Sequence, residues 1–390
     1  MRLSLALALF ATPALAQVEQ GPPNAPHAPA FANQTRAPAL PASAVTATLL
    51  TGGLEHPWGI AALPDGRFLV TERPGRLRLV SAAGEVGPPI AGLPGIVVEG
   101  QGGLLDVALA DDFAQSGRIY LTYAENNLVG GMFLAAASGV LAADGTRLTG
   151  VAEFWTQSPA IRGSGVHFGG RIVPDGAGHI FIVAGERGMW QEPDQVQALD
   201  TDLGKVIRLN ADGSEPVDNP FAGQPDAGDL WTSGHRNPQG AALDGQGRLW
   251  TMEHGPAGGD ELNLLVPGAN HGWPLVSYGI DYSGAPVGDG KQRGPGITEP
   301  VYYWDPVIAP GGMAFYAGPM FPDWQGDILI GSLNPGGLVR LQLDGDVVVG
   351  EERLLPDLGR VRDVQVLADG SILLLTDLDD GGIWRVTQGS

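Results

Sequence analysis

Five of the seven histidines, His56, His167, His235, His254 and His271, fall in Gly- and Pro-rich stretches between strand-like runs. His27 instead lies in a Pro/Ala-rich segment and His179 inside a strand-like run. An imidazole titrates close to neutral pH and suits general base work, and loops are where such groups are usually displayed. The plainer role for any one of these rings is a hydrogen bond to a backbone carbonyl. Arg236 and Asn237, in the segment GHRNPQG, set a charged donor fork beside an amide, a pairing suited to a planar polyanion. Arg360 and Arg362, in GRVRD, fall on one side of an extended strand. The chain has 22 Lys+Arg against 43 Asp+Glu, a net charge of −21, so two cations on one side suggest an anion site. Pairing of each with a surface carboxylate is the alternative.

Other chemistries are excluded. There is no cysteine, which removes disulfides, thiolate metal sites and thiol catalysis, so any metal must be held by oxygen or imidazole. No His-x-x-x-His or Glu-x-x-His spacing supports a zinc hydrolase. Gly163-Ser164-Gly165 lacks the flanks of a nucleophile elbow, and no Gly-rich dinucleotide or Walker loop occurs. The acidic balance, with no Lys/Arg cluster, argues against a nucleic-acid partner.

The elements that must position these residues are short strands. Gly 60 and Pro 32 among 390 residues demand many turns, while 43% apolar residues supply a large core. One unit recurs: an apolar run, a turn with Asp-Gly or Gly, and a second run. It spans Trp58–Val70, Leu104–Tyr123, Gly169–Ala184, Pro238–Met252, Gly312–Gly331 and Val364–Thr376. Each copy reads as a β-hairpin, and several continue into a third strand, as in Arg76–Val80, Lys205–Leu209, Leu338–Gln342 and Gly382–Val386. Six copies at unequal spacing predict an all-β, six-bladed β-propeller over residues 45–390, with its site on the central axis. Met1–Ala16 has one basic residue, an apolar run and an A-x-A end, and predicts a cleaved secretory signal peptide. Residues 17–44, rich in Pro and Ala without apolar periodicity, read as a linker or disordered arm. No later stretch has the apolar length of a membrane helix, so the expected product is a periplasmic or secreted protein, monomer or homodimer.

In order along the chain, PWGIAALPDGRFLVTERPGRL, EGQGGLLDVAL, HFGGRI, DLGKVIRLNADGS, GHRNPQG, EHGP, GDELN, NHGWP and VRDVQVLADGSILLLTD resemble the soluble aldose sugar dehydrogenases of the glucose/sorbosone dehydrogenase family, which use pyrroloquinoline quinone (PQQ). The resemblance runs from about Leu54 to Val386, and GHRNPQG at 234–240 is its most specific element. It implies oxidation of an aldose at C1 to the lactone, hydride passing to the quinone and electrons to an external acceptor other than O₂. It makes His167 the general base. It places Gln101, Arg236, Asn237, Arg360 and Arg362 on PQQ, with Tyr282 of DYSG as a further pocket residue. Ca²⁺ would be held by the carbonyls of Gly255 and Pro256, and a second Ca²⁺ by Glu261 and the carbonyl of His271. Two positions depart from relatives: Asn334 stands where some have Lys, and Val166 where some have Asp before the base. Glu186 of GERG is then the candidate to orient His167. A Ca²⁺-dependent propeller lactonase and a non-enzymatic binding propeller are the rival functions, and neither gives Arg236, Asn237, Arg360 and Arg362 a task.

Overall fold

Six antiparallel sheets stand around one axis in the computed structural model, which describes residues 16–389. The signal-peptide expectation therefore lies outside the described residues but for Ala16. Each predicted hairpin forms the inner two strands of a blade. The inner strands are Pro57–Ala62, Leu104–Leu109, Gly169–Pro174, Pro238–Leu243, Pro310–Phe315 and Val361–Val366. They neighbour one another in a closed ring. The last blade takes its outermost strand from the start of the propeller, Val45–Leu54 pairing antiparallel with Gly381–Gln388. That clasp closes the circle and leaves no free edge between the chain ends. Among the described residues, no helix is long and apolar enough to cross a membrane.

Every inner strand carries a register shift against its hairpin partner within its first few residues. A bulge twists the strand and turns the side chains beside it, and here six of them ring one mouth of the axis. Further along the axis, Arg171 bonds Asp106 at 2.8 Å and Asp363 at 3.1 Å, all three buried. Glycine is required alongside: a Cβ on Gly312 would stand 1.8 Å from Asp363 Oδ1. Burial, with Asp363 nearby, raises Asp106 to about 6 against the opposing pull of Arg171.

The expectation of a disordered 17–44 arm is corrected. Val18, Ala25, Gln34 and Ala37 are buried, and the arm runs along the outer strands Tyr302–Trp304 and Val347–Leu354. Asp305 accepts from the amides of Asn24 and Ala25 and from Asn24 Nδ2 at 2.8–2.9 Å. Leu40 N–H donates to Glu351 O, Tyr303 N–H to Gln34 O, and Ser43 N–H bonds Glu352. The arm is fixed by hydrogen bonds to two exposed edges, which need no apolar periodicity and so leave none in the sequence.

Candidate active site

The starts of the inner strands and the ends of the second strands enclose a cavity of about 380 Å³ on the axis, within the range of small-ligand sites. Trp58, Leu105 and Phe168 give it apolar walls, and Gln101, Asn237, Gln239, His254, Arg73, Arg360 and Arg362 line it with polar groups. Three cations meet here in a strongly acidic protein. Arg362 donates through Nε and Nη2 to Asp377 Oδ2 at 3.2 and 2.6 Å, and through Nη1 to Gln239 Oε1 at 2.8 Å. Arg360 reaches the same Asp377 oxygen at 3.2 Å, while His56 bonds its Oδ1 at 2.8 Å. Despite burial, these partners, Arg362 foremost, hold the Asp377 carboxyl far below the usual carboxylate range. The two arginines therefore do not lie idle on the surface. They share one carboxylate at the cavity wall.

His167 stands beside this cavity, between Val166 and the lining residue Phe168. Its backbone is left-handed, φ 51°, and its N–H donates to Gln101 Oε1 at 2.8 Å. Nδ1 lies 2.5 Å from Glu186 Oε1, a fully buried carboxylate. An ionised carboxylate only accepts, so Nδ1 carries the hydrogen and a neutral ring keeps its lone pair on Nε2. Burial first, and then the charges of Arg236 and Arg187, lower the His167 pKa against the opposing pull of Glu186. The ring is thus neutral at neutral pH, with Nε2 making no hydrogen bond among the described residues. The partner of Nδ1 is Glu186, the candidate for orienting the ring.

His254 is differently occupied. Its Nε2–H donates to Pro310 O at 2.7 Å, and burial pushes it down to about 3. It is a neutral donor fixed in the wall.

Arg236 lies in a smaller adjoining cavity. Its Nη1 donates to the carbonyls of His254 and Gly255 at 3.0 and 2.7 Å, and its buried Nε has no partner among the described residues. Asn237 Oδ1 accepts from Gly169 N–H and from Gln239 at 3.2 Å, and the first of these bonds ties two blade entrances together. Gly255, Pro256, Glu261 and His271 all line the smaller cavity, whose volume of about 10 Å³ matches one water or small ion. Burial and the neighbouring Glu253 raise Glu261 well above the usual range. His271 stacks on His235 at 4.7 Å, and its Nε2 is unpartnered. Among the described residues, no three His, Cys, Asp or Glu side chains are grouped to hold a metal, so a cation here would depend on carbonyl oxygens.

Two expected residues are brought into neither cavity. Tyr282 is 75% exposed in a turn, and Asn334 is exposed beside the lining residue Leu333. Asp377, Gln239 and Trp58 are lining groups that motif reading missed. Strand register held the signal for the first: Val361 pairs with Thr376, which sets Asp377 opposite Arg360.

A six-bladed propeller with a cation-lined axial cavity and a carboxylate-held imidazole at its edge is the frame of a ligand-binding enzyme rather than a scaffold. The glucose/sorbosone dehydrogenase family model matches residues 54–385, and the chain belongs to that family. It is 42% identical over 354 residues to the aldose sugar dehydrogenase YliI of Escherichia coli (strain K12), covering 90% of this chain and 94% of that protein. The crystal structure of the soluble aldose sugar dehydrogenase of E. coli in its apo-form superposes with a TM-score of 0.84 at 40% identity, covering 88% of this chain and 99% of that one. A PQQ-bound aldose sugar dehydrogenase from Streptomyces coelicolor gives 0.72 at 27% identity, over 89% and 99% of the two chains.

Proposed function

We propose that this chain oxidises aldose sugars at C1 to the lactone with PQQ held in the axial cavity, His167 acting as the general base. The observation that carries the reading is the His167–Glu186 pair beside three arginines in an acidic protein. PQQ is a planar tricarboxylate quinone. Arg73, Arg360 and Arg362 offer cations to carboxylates, Gln101, Asn237 and Gln239 offer polar groups, and Trp58 and Phe168 offer apolar faces. Arg236, in the adjoining smaller cavity, adds a further cation beside His167. Bound there, the quinone would supply the acceptor for the hydride leaving C1. A Ca²⁺ held by the carbonyls of Gly255 and Pro256, which line the smaller cavity, would act as a Lewis acid, and a second Ca²⁺ would use Glu261 and the carbonyl of His271.

The chain's own residues handle the proton. His167 Nε2 takes it from the C1 hydroxyl, and Glu186 stabilises the imidazolium that forms, as a buried carboxylate does for a histidine base. Gln101 fixes the His167 backbone, and the arginine–Asp377 cluster keeps the cavity positive where negative charge arrives. The two electrons pass on to an acceptor other than O₂. Residues 1–16 support export, hence a periplasmic or secreted enzyme.

The test is product identity. The mature chain supplied with PQQ, Ca²⁺, an aldose and an electron-accepting dye should yield the C1 lactone in proportion to dye reduced. Release of an acid from an added lactone, without dye reduction, would favour the lactonase instead.

A further inference from the structure

We propose that Arg187 is a positioning residue for the base: its guanidinium clamps the Ser164–His167 turn in the conformation that presents the imidazole with Nε2 free. The inference rests on reading His167 as that base. Arg187 is fully buried, yet among the described residues it forms no salt bridge. All of its donor nitrogens go to backbone carbonyls instead: Nε to Val166 O at 3.0 Å, Nη2 to Ser164 O at 2.7 Å and Nη1 to Met132 O at 3.0 Å. Its Cζ sits 3.6 Å from the centre of the Phe168 ring.

The clamp is reciprocal. Arg187 N–H donates to His167 O at 3.2 Å, and Ser164 Oγ donates to Arg187 O at 2.5 Å. His167 and Arg187 are both left-handed, at φ 51° and 60°, a conformation that non-glycine side chains resist. Two opposed left-handed residues need outside restraint, and this guanidinium supplies it on both flanks of the base. Burying an unpaired arginine is costly, which argues that the three carbonyls are worth holding. Phe168 carries the effect onward, since it stacks on Arg187 and lines the cavity.

Arg187 also acts on the base through its charge. The charged groups that face the His167 ring are Glu186, which raises its pKa, and Arg236 and Arg187, which lower it, with His254 close by. Removing the Arg187 cation relieves one lowering influence and so raises the His167 pKa.

The experiment uses Arg187→Met and Arg187→Lys in the full mature chain. Arg187→Met should lower kcat at least tenfold, leave the PQQ titration midpoint within threefold, and move the acid limb of the kcat/KM profile to higher pH. Arg187→Lys keeps the cation but loses the three-way fork, so kcat should fall while the acid limb stays near its original position. A readout independent of turnover is the NMR titration of the His167 ring in protein free of cofactor, which should shift upward only in Arg187→Met. Wild-type kcat with an unmoved His167 titration in either folded variant would overturn the proposal. So would equal losses in kcat and PQQ affinity with the pH limb unchanged, the mark of a merely structural residue. If the wild-type chain oxidises no sugar, the reading of the site fails, while the ring titration still decides whether Arg187 governs His167.

Discussion

Replacing Glu186 by Gln removes one charge from beneath the His167 ring at almost constant shape. In the structure, Nδ1 and Glu186 Oε1 are 2.5 Å apart, with the carboxylate fully buried and the imidazole 14% exposed. A charge-assisted hydrogen bond in such surroundings contributes about 1.5–3 kcal/mol, and more of it is felt once the ring becomes cationic. At ~1.36 kcal/mol per decade, kcat should fall roughly 10- to 150-fold. The direction of the pH effect follows separately. Glu186 is the group that raises the His167 pKa, against burial and two arginines, so its neutral substitute should let that pKa fall further. The acid limb of kcat/KM should then move to lower pH while the plateau drops. The assay is steady-state dye reduction at saturating PQQ, Ca²⁺ and aldose from pH 4 to 9. A plateau within twofold of wild type, or an acid limb displaced upward, would refute the view that Glu186 holds and charges the base.

Other perturbations follow from the same contacts. His167→Ala should abolish turnover while retaining PQQ, read by titration of the bound quinone; sugar oxidation at near the wild-type rate would remove His167 from catalysis. Arg236→Ala should raise the PQQ midpoint, because it deletes the buried unpartnered Nε and frees the Gly255 carbonyl, and an unchanged midpoint would exclude Arg236 from the site. Asp305→Ala strips three hydrogen bonds from the N-terminal arm and should cost about 3 kcal/mol in denaturant unfolding, with faster proteolysis before residue 44. Buried Asp106, at about 6, and Asp202 and Asp327, at about 7, have pKa values raised mainly by burial. These three groups bind more protons in the folded state than in the unfolded one between about pH 4 and 7, so the stability they contribute should fall as pH rises through that window. A difference in urea midpoint between wild type and Asp327→Asn that is the same at pH 5 and pH 8 would contradict this.

The blades were legible because each hairpin announces itself locally: Pro64-Asp65-Gly66 and Ala368-Asp369-Gly370 turn two apolar runs back on each other within about a dozen residues. Pairings between distant residues were not. The clasp of Val45 on Gln388 and the contact of Arg171 with Asp363, 192 positions away, leave no local trace. The cation pair Arg360/Arg362 could be read from strand period, but its shared partner Asp377 depends on the register of two strands. His167 was reachable only through family motifs, since an imidazole in a glycine-rich loop has no spacing signature. Its left-handed backbone and its Glu186 partner emerge only when two loops meet. The 17–44 arm was misread for a related reason: its order comes from Asp305, just past one outer strand, and from Glu351 and Glu352 on another, not from its own composition.

Reconstitution of the purified mature chain with PQQ and Ca²⁺, followed by anaerobic dye reduction across a panel of aldoses, decides whether the chain is a quinoprotein sugar dehydrogenase. Saturable reduction should appear that requires PQQ, disappears on adding chelator and is absent in His167→Ala. Sugar oxidation that proceeds at the same rate without PQQ, or a chain that binds no PQQ at any concentration tested, would contradict it.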